Sequence, residues 1–193
     1  MQLAAQHPDW VLGFADETWW SRLAHPPLHA WTDQRPLRLV EQAVAKGDPE
    51  PKALCCYGVL RTDQTQTLLR FVEGRPVSRV TTAFLGWLAQ QMAAEHKRVL
   101  VLIWDNASWH ISREVRSWIR RHNQQAKQHG GVRLLTCRLP VKSPWLNPLE
   151  PRWVHGKRAV VEPARMLTAP ELISRVCAYF ATELLEPLKQ HVA

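Results

Sequence analysis

Apolar and polar positions along this chain follow two periods in turn, one of strands and one of helices. Trp10 to Trp20 (WVLGFADETWW) opens with a short apolar strand, Val11 to Ala15, that ends in the acidic pair Asp16 and Glu17. Residues Leu28 to Val40, interrupted by Pro36, supply a second strand, and Lys46 to Pro51 is a turn-rich loop. Ala53 to Leu60 (ALCCYGVL) reads as a buried strand, with Thr67 to Val72 (TLLRFV) its hairpin partner across the polar turn Arg61 to Gln64. From Ser78, an N-cap residue type, Val80, Phe84, Trp87, Leu88 and Met92 recur at helical spacing up to about Ala94. Val99 to Trp104 (VLVLIW) is then a near-continuous aliphatic run, the pattern of a central strand covered on both faces.

The second half continues the alternation. Ser112 to His129 is a helix with Val115, Trp118, Ile119 and Ala126 on one face, closed by Gly130 and Gly131. Val132 to Leu139 is a further strand, and the loop Pro140 to Pro148 leads to a helix that opens near Glu150, since Pro151 is tolerated in a first turn. Thr168 to Glu171 matches a capping box ahead of Leu172, Val176, Phe180 and Leu184, so a terminal helix is expected over about 168–187, halted at Pro187. Strands, helix, strand, helix, strand, helices is the order of an α/β domain whose mixed sheet is an antiparallel meander first and parallel later.

Composition adds bounds rather than detail. A chain of 193 residues with 46% apolar and 22% charged residues is read as one globular domain. Its longest aliphatic run is far short of a membrane span, and the N-terminus has no basic segment followed by an apolar stretch, so a cytoplasmic protein with no membrane contact is expected. Cys55, Cys56, Cys137 and Cys177 form no CxxC pair and sit in apolar stretches, as reduced core residues do. Charge changes the picture more. Between His110 and Arg158 stand eleven Lys and Arg and two acids, a segment of +9 in a chain of +8, so the remainder sums to −1. A basic surface confined to one stretch is the footprint of a polyanion partner.

Functional groups of open α/β sheets gather at the carboxyl ends of strands. Asp16 ends the first strand and Asp105 the central one, and a meander followed by a crossover can lay those strands side by side. Two carboxylates brought together repel unless a divalent cation lies between them, and hard oxygen ligands suit magnesium or manganese. Glu150, at the opening of a helix, is the best third carboxylate for a two-metal phosphoryl-transfer site.

Three strings extend this reading. Phe14-Ala15-Asp16-Glu17-Thr18-Trp19, Trp104-Asp105-Asn106-Ala107-Ser108-Trp109-His110 and Ser143-Pro144-Trp145-Leu146-Asn147-Pro148-Leu149-Glu150-Pro151-Arg152-Trp153 stand in the order of the three motifs of the DDE transposases. The chain resembles the bacterial insertion-sequence branch of the mariner superfamily over about residues 10–160, with its Asp-Asn-Ala-x-x-His and Ser-Pro-x-Leu-Asn-Pro-x-Glu-x-x-Trp signatures. The resemblance implies a ribonuclease-H-like fold in which Asp16, Asp105 and Glu150 bind two magnesium ions, with manganese able to substitute. It also implies hydrolysis of a phosphodiester at the transposon end, then attack of the freed 3′ hydroxyl on target DNA.

Around the three carboxylates the residues divide by role. Asn106 and His110 are expected to orient water or phosphate or to shape a helix-entry turn, and Lys142, Arg152, Lys157 and Arg158 to contact phosphates. Glu17 should point to the opposite side of its strand from Asp16. Trp145 and Trp153 are read either as core or as stacking partners for an unpaired base. Forty-four residues separate Asp105 from Glu150, longer than in eukaryotic mariner relatives, which implies a changed DNA-facing surface. Only about nine residues precede the first strand, so no helix-turn-helix domain is expected within this chain and end recognition is expected from elsewhere, a separate chain being one source. The chain itself is read as the second half of a split reading frame, a catalytic domain cut from a longer protein, or a remnant; a homodimer is expected to hold two DNA ends. Two rival readings are a related metal nuclease without strand transfer and a DNA-binding remnant without productive metal geometry.

Overall fold

The computed structural model describes residues 7–24, 43–162 and 165–189, and it places five strands in one sheet ordered β3-β2-β1-β4-β5. The strands are β1 (Trp10–Ser21), β2 (Ala53–Arg61), β3 (Thr67–Val72), β4 (Val99–Trp104) and β5 (Arg133–Arg138). Four helices follow the same chain order: α1 (Ser78–Ala94), α2 (Arg113–His129), α3 (Leu149–Val160) and α4 (Ala169–Tyr179). The β1-β2-β3 meander is antiparallel, and β4 and β5 add in parallel, as the order of periods predicts. The expected strand within Leu28 to Val40 lies outside the described residues.

Both faces of the sheet are covered because both side-chain parities of its inner strands are apolar. Val11 and Ala15 of β1, Cys55, Tyr57 and Val59 of β2, and Leu100 and Leu102 of β4 pack against Phe84, Leu88 and Met92 of α1 and Val115 of α2. Trp20, Cys56, Leu60 and Phe71 face the other way, onto Leu149 and Trp153 of α3 and Leu172 and Val176 of α4. Burial of this kind, at about 25 cal/mol per Å² of apolar surface, is what holds two helical layers to one sheet. Neither edge of the sheet is left open along its whole length. Beside β3, Leu188 donates to the Phe71 carbonyl at 2.8 Å and accepts from the Glu73 N–H at 2.9 Å. Beside β5, the Asn123 side chain of α2 both donates to and accepts from the Leu134 backbone at 2.8 Å.

Several expectations are corrected in detail. Strand β1 runs on to Ser21 instead of ending at Asp16, because its antiparallel pairing with β2 continues from Gly13↔Arg61 to Ser21↔Ala53. Asp16 is therefore mid-strand. Its parallel pairing with β4 does stop, at Phe14↔Ile103, so one flank of β1 is bare from there on. Helix α1 takes Val77 as its cap and Ser78 as its first residue. The terminal helix keeps the capping box of Thr168 and Glu171 but ends at Tyr179, well short of 187. Ala181 adopts a left-handed backbone with φ 51°, and the chain beyond it is extended where it crosses the β3 edge. Cys55, Cys56 and Cys177 are buried and free as expected, whereas Cys137 is exposed on the edge strand β5. Among the described residues, no helix is long and apolar enough to cross a membrane.

Candidate active site

The parallel register of β1 and β4 positions the first two carboxylates. Asp16 lies two residues beyond Phe14, and Asp105 two residues beyond its partner Ile103, so both stand the same distance past the last paired rung. The third arrives from the other sheet face. After β5 the chain crosses this opening through a 3-10 turn, Pro144–Leu146, and enters α3 with Glu150 in its first turn. Asn147, only 3% exposed, fixes that crossing: its Nδ2 donates to the Ala15 carbonyl at 3.3 Å, and its Oδ1 accepts from the Leu149 N–H at 3.1 Å. Asn147 thus occupies the flank of β1 that β4 leaves bare. Asp16, Asp105 and Glu150 together line one cleft of about 330 Å³, shared with Asn106, Lys142, Ser143 and Asn147.

Each carboxylate is held differently. Asp16 accepts a hydrogen bond from the Trp153 indole N–H at its Oδ2, 3.0 Å. Burial, then the negative charges of Glu150 and Glu17, push its carboxyl up to about 7. This clustering of acids disfavours their simultaneous ionisation, and a cation among them would relieve it. Asp105 is held below the usual carboxylate range by His110 first, despite partial burial, and by the Ala107 N–H. Its Oδ1 accepts from His110 Nδ1 at 2.7 Å and from Ala107 N at 2.9 Å.

His110 is the clamp of the site. Its ring is 3% exposed, stacks on Trp104 with centroids 4.4 Å apart, and reaches Glu17 Oε1 through Nε2 at 2.5 Å. Burial opposes its protonation, but the bonds to Asp105 and Glu17 outweigh that and raise it to about 9, so the imidazolium donates to both carboxylates at neutral pH. Trp109 Nε1 adds a second donor to Glu17 Oε1 at 3.2 Å. Glu17, Asp105 and His110 place ligand-type atoms within 4.8 Å of one another. Both ring nitrogens are already bonded to carboxylates, so this trio is bridged by protons, and Asp16, Asp105 and Glu150, which line the cleft together, remain the candidate cation ligands.

The other expected site residues divide. Asn106 lines the cleft and donates from Nδ2 to the Leu139 carbonyl at 2.8 Å, tying the β4 and β5 ends together. Lys142 lines the cleft, while Lys157 and Arg158 are exposed on α3. Arg152 turns to the opposite side of α3, where Nη1 donates to the Thr65 carbonyl at 3.1 Å and to Thr67 Oγ1 at 3.2 Å. The two tryptophans of the third motif part company: Trp153 is 2% exposed and Trp145 76% exposed. Glu17, Asn147 and Trp153 bond to the elements of the candidate site, contacts that sequence reasoning did not assign. The signal for Asn147 and Trp153 was their fixed place in the third motif; for Glu17 it was only strand parity.

A mixed five-stranded sheet between two helical layers, with this strand order, defines a ribonuclease-H-like domain. The chain belongs to the family described as DDE superfamily endonuclease, which matches residues 32–173, a span that holds Asp105 and Glu150 and begins after Asp16. Among solved structures it is similar to the Mos1 transposase in its paired-end complex with the left transposon end, at 15% identity and a TM-score of 0.65, over 89% of this chain and 48% of that one. The catalytic domain of Mos1 mariner transposase matches at 14% identity and a TM-score of 0.56, over 94% of this chain and 77% of that domain. A simian T-cell lymphotropic virus intasome chain matches at 9% identity and a TM-score of 0.52, over 94% and 58%. The chain spans about half the length of the Mos1 transposase chains in the DNA complexes, and at these identities the likeness is one of fold. No curated protein matches the sequence.

Proposed function

We propose that this chain acts as the catalytic domain of a DNA transposase, cutting phosphodiesters at the ends of a mobile element and joining the freed 3′ ends to target DNA. The observation that carries the reading is convergence: carboxylates from three distant segments, Asp16, Asp105 and Glu150, line one cleft beside a basic stretch of chain. Their hard oxygens fit two magnesium ions, with manganese as a substitute, and the raised Asp16 carboxyl is what such a cluster shows without a cation. Bound there, the ions supply Lewis-acid stabilisation of the charge that develops in phosphoryl transfer.

The rest of the work belongs to the chain itself. His110 and the Ala107 N–H fix one oxygen of Asp105, and Trp153 fixes one of Asp16. Asn147 sets the crossing segment that carries Glu150. Lys142 at the cleft and the exposed Lys157 and Arg158 of α3 are the cations that would hold phosphates, while Arg152 bonds the β2–β3 turn. Because two DNA ends must be held together, a homodimer on DNA is the assembly this reaction calls for.

The test is manganese binding by calorimetry to the wild type, Asp105→Asn and Glu183→Gln, the last an exposed acid outside the cleft. Loss of a direct ligand should weaken binding by at least the roughly 10- to 100-fold that outer partners cost. Nicking of duplex DNA should fall with it. Equal manganese affinity in all three proteins would remove the reading.

A further inference from the structure

Exposed apolar side chains cluster along the chain segment that runs beside the candidate cleft and into α3. Trp145 is 76% exposed and Val141 75%, with Leu146 and Val154 about half exposed. Val141, Trp145 and Leu146 belong to the segment that crosses between β5 and α3, and its neighbours Lys142, Ser143 and Pro144 line the cleft itself. Val154 stands one turn past Glu150 on α3, and Lys157 continues that face at i+7. Three of the four apolar residues thus lead into the helix that carries Glu150, and the fourth stands on it.

The backbone that carries the indole is also held in place. Leu146 N donates to the Ser143 carbonyl at 3.1 Å and Asn147 N to the Pro144 carbonyl at 2.8 Å, closing the turn on which Trp145 sits. Pro144 and Pro148 restrict the backbone on either side. Asn147 then anchors the turn to Ala15, next to Asp16. A large aromatic ring that fills no core, on a turn fixed relative to the carboxylates, is a surface prepared for a partner. Charge identifies the partner's chemistry. Lys142 precedes the ring by three residues, Lys157 and Arg158 follow on α3, and none of the three makes an ion pair among the described residues. Cations interleaved with an exposed aromatic are the pattern that takes phosphates and bases at once.

We propose that Trp145 is a stacking platform for an unpaired base of the DNA strand whose backbone enters the Asp16–Asp105–Glu150 cleft. The inference rests on the transposase reading and deepens it, since it assigns this site a preference for DNA that is locally opened beside the cut. Trp153, the other tryptophan of the same motif, is excluded from this role by its burial and its bond to Asp16.

The experiment uses DNA duplexes carrying one 2-aminopurine, either paired or unpaired, in EDTA so that nothing is cut. Wild type should quench the unpaired probe and bind that duplex more tightly than the paired one. Trp145→Ala should abolish the quenching and weaken binding of the unpaired duplex by about 5- to 150-fold, the range for loss of one base–aromatic stack, and leave the paired duplex unaffected. Trp145→Phe should retain most of both. Because Trp145 is exposed, its variants should melt with the wild type, which separates the effect from misfolding. If Trp145→Ala matches the wild type on both duplexes, the platform is overturned and the transposase reading stands. If the wild type binds neither duplex, both fall. A concentration-dependent dimer in sedimentation that Trp145→Ala abolishes, with DNA binding unchanged, would reassign the apolar cluster to self-association.

Discussion

The imidazole of His110 stands between two carboxylates that arrive from different strands, and only one of them belongs to the cleft. Glu17 points to the opposite face of β1 from Asp16, as strand parity requires, and there it meets His110 and Trp109. The chain of contacts Glu17–His110–Asp105 therefore fixes a candidate ligand from behind, as outer partners of metal ligands do. Removing the ring by His110→Ala should lower manganese affinity by about 10- to 100-fold, because Asp105 is then free to rotate. Glu17→Gln should cost less, since its amide oxygen still accepts from Nε2, whereas Glu17→Ala should approach the His110→Ala loss. Equal affinities across this series, measured by titration, would reduce His110 to a core residue. The three carboxylates were legible in the sequence because each sits at a turn of period or in a fixed motif. Glu17, Asn147 and Trp153 were not, because their roles depend on contacts 93, 132 and 137 residues away along the chain.

At the scale of elements, β1 and β2 share a detail that serves the site. Asp16 is paired across the strands with Gly58, and the ring of Trp153 lies over that glycine to reach the carboxylate. A Cβ at position 58 would stand 2.3 Å and 2.6 Å from two ring atoms of Trp153. The ring has little room to retreat, because Trp20 and Phe180 pack edge-on against it with centroids 6.0 and 5.5 Å away. Gly58→Ala should therefore destabilise the fold by about 1–3 kcal/mol, the usual cost of overpacking. For a domain of this size that is a fall in melting temperature of roughly 2–10 °C. Manganese affinity should fall with it, since the donor to Asp16 is displaced; an unshifted melt would show that the α3 helix simply moves off the sheet. Among the described residues element existence was readable from period, and the hairpin, β4, α1 and α2 lie where the pattern puts them. Element ends were less so. The acidic pair in β1 reads as a strand end, yet pairing with β2 carries the strand past it, and Ala181 ends the last helix with no glycine or proline to announce the stop.

At the scale of the whole molecule, positive charge is concentrated in the segment from His110 to Arg158, and much of it lies on one helix. Helix α2 begins three residues after His110 and turns Val115, Trp118, Ile119 and His122 toward the rest of the protein. Its outer face carries Arg113, Arg116, Arg120 and Lys127, spaced i, i+3, i+7 and i+14, over about 21 Å of helix. Glu114 is the single acid of this helix, and these four cations make no ion pair among the described residues. Seventeen residues of helix so constituted gain little from their own charges, which repel, so stability does not account for the stripe, and the proposed DNA partner would. It also explains where the long interval between Asp105 and Glu150 is spent. DNA binding should weaken linearly with the logarithm of salt concentration, with a slope of about −0.9 per neutralised phosphate. Replacing all four by glutamine should then flatten the slope by up to about 3.6, and lower affinity for every DNA sequence alike. Manganese binding should not change, because the stripe lies outside the cleft, and an unaltered salt slope would show that DNA follows another path to the carboxylates.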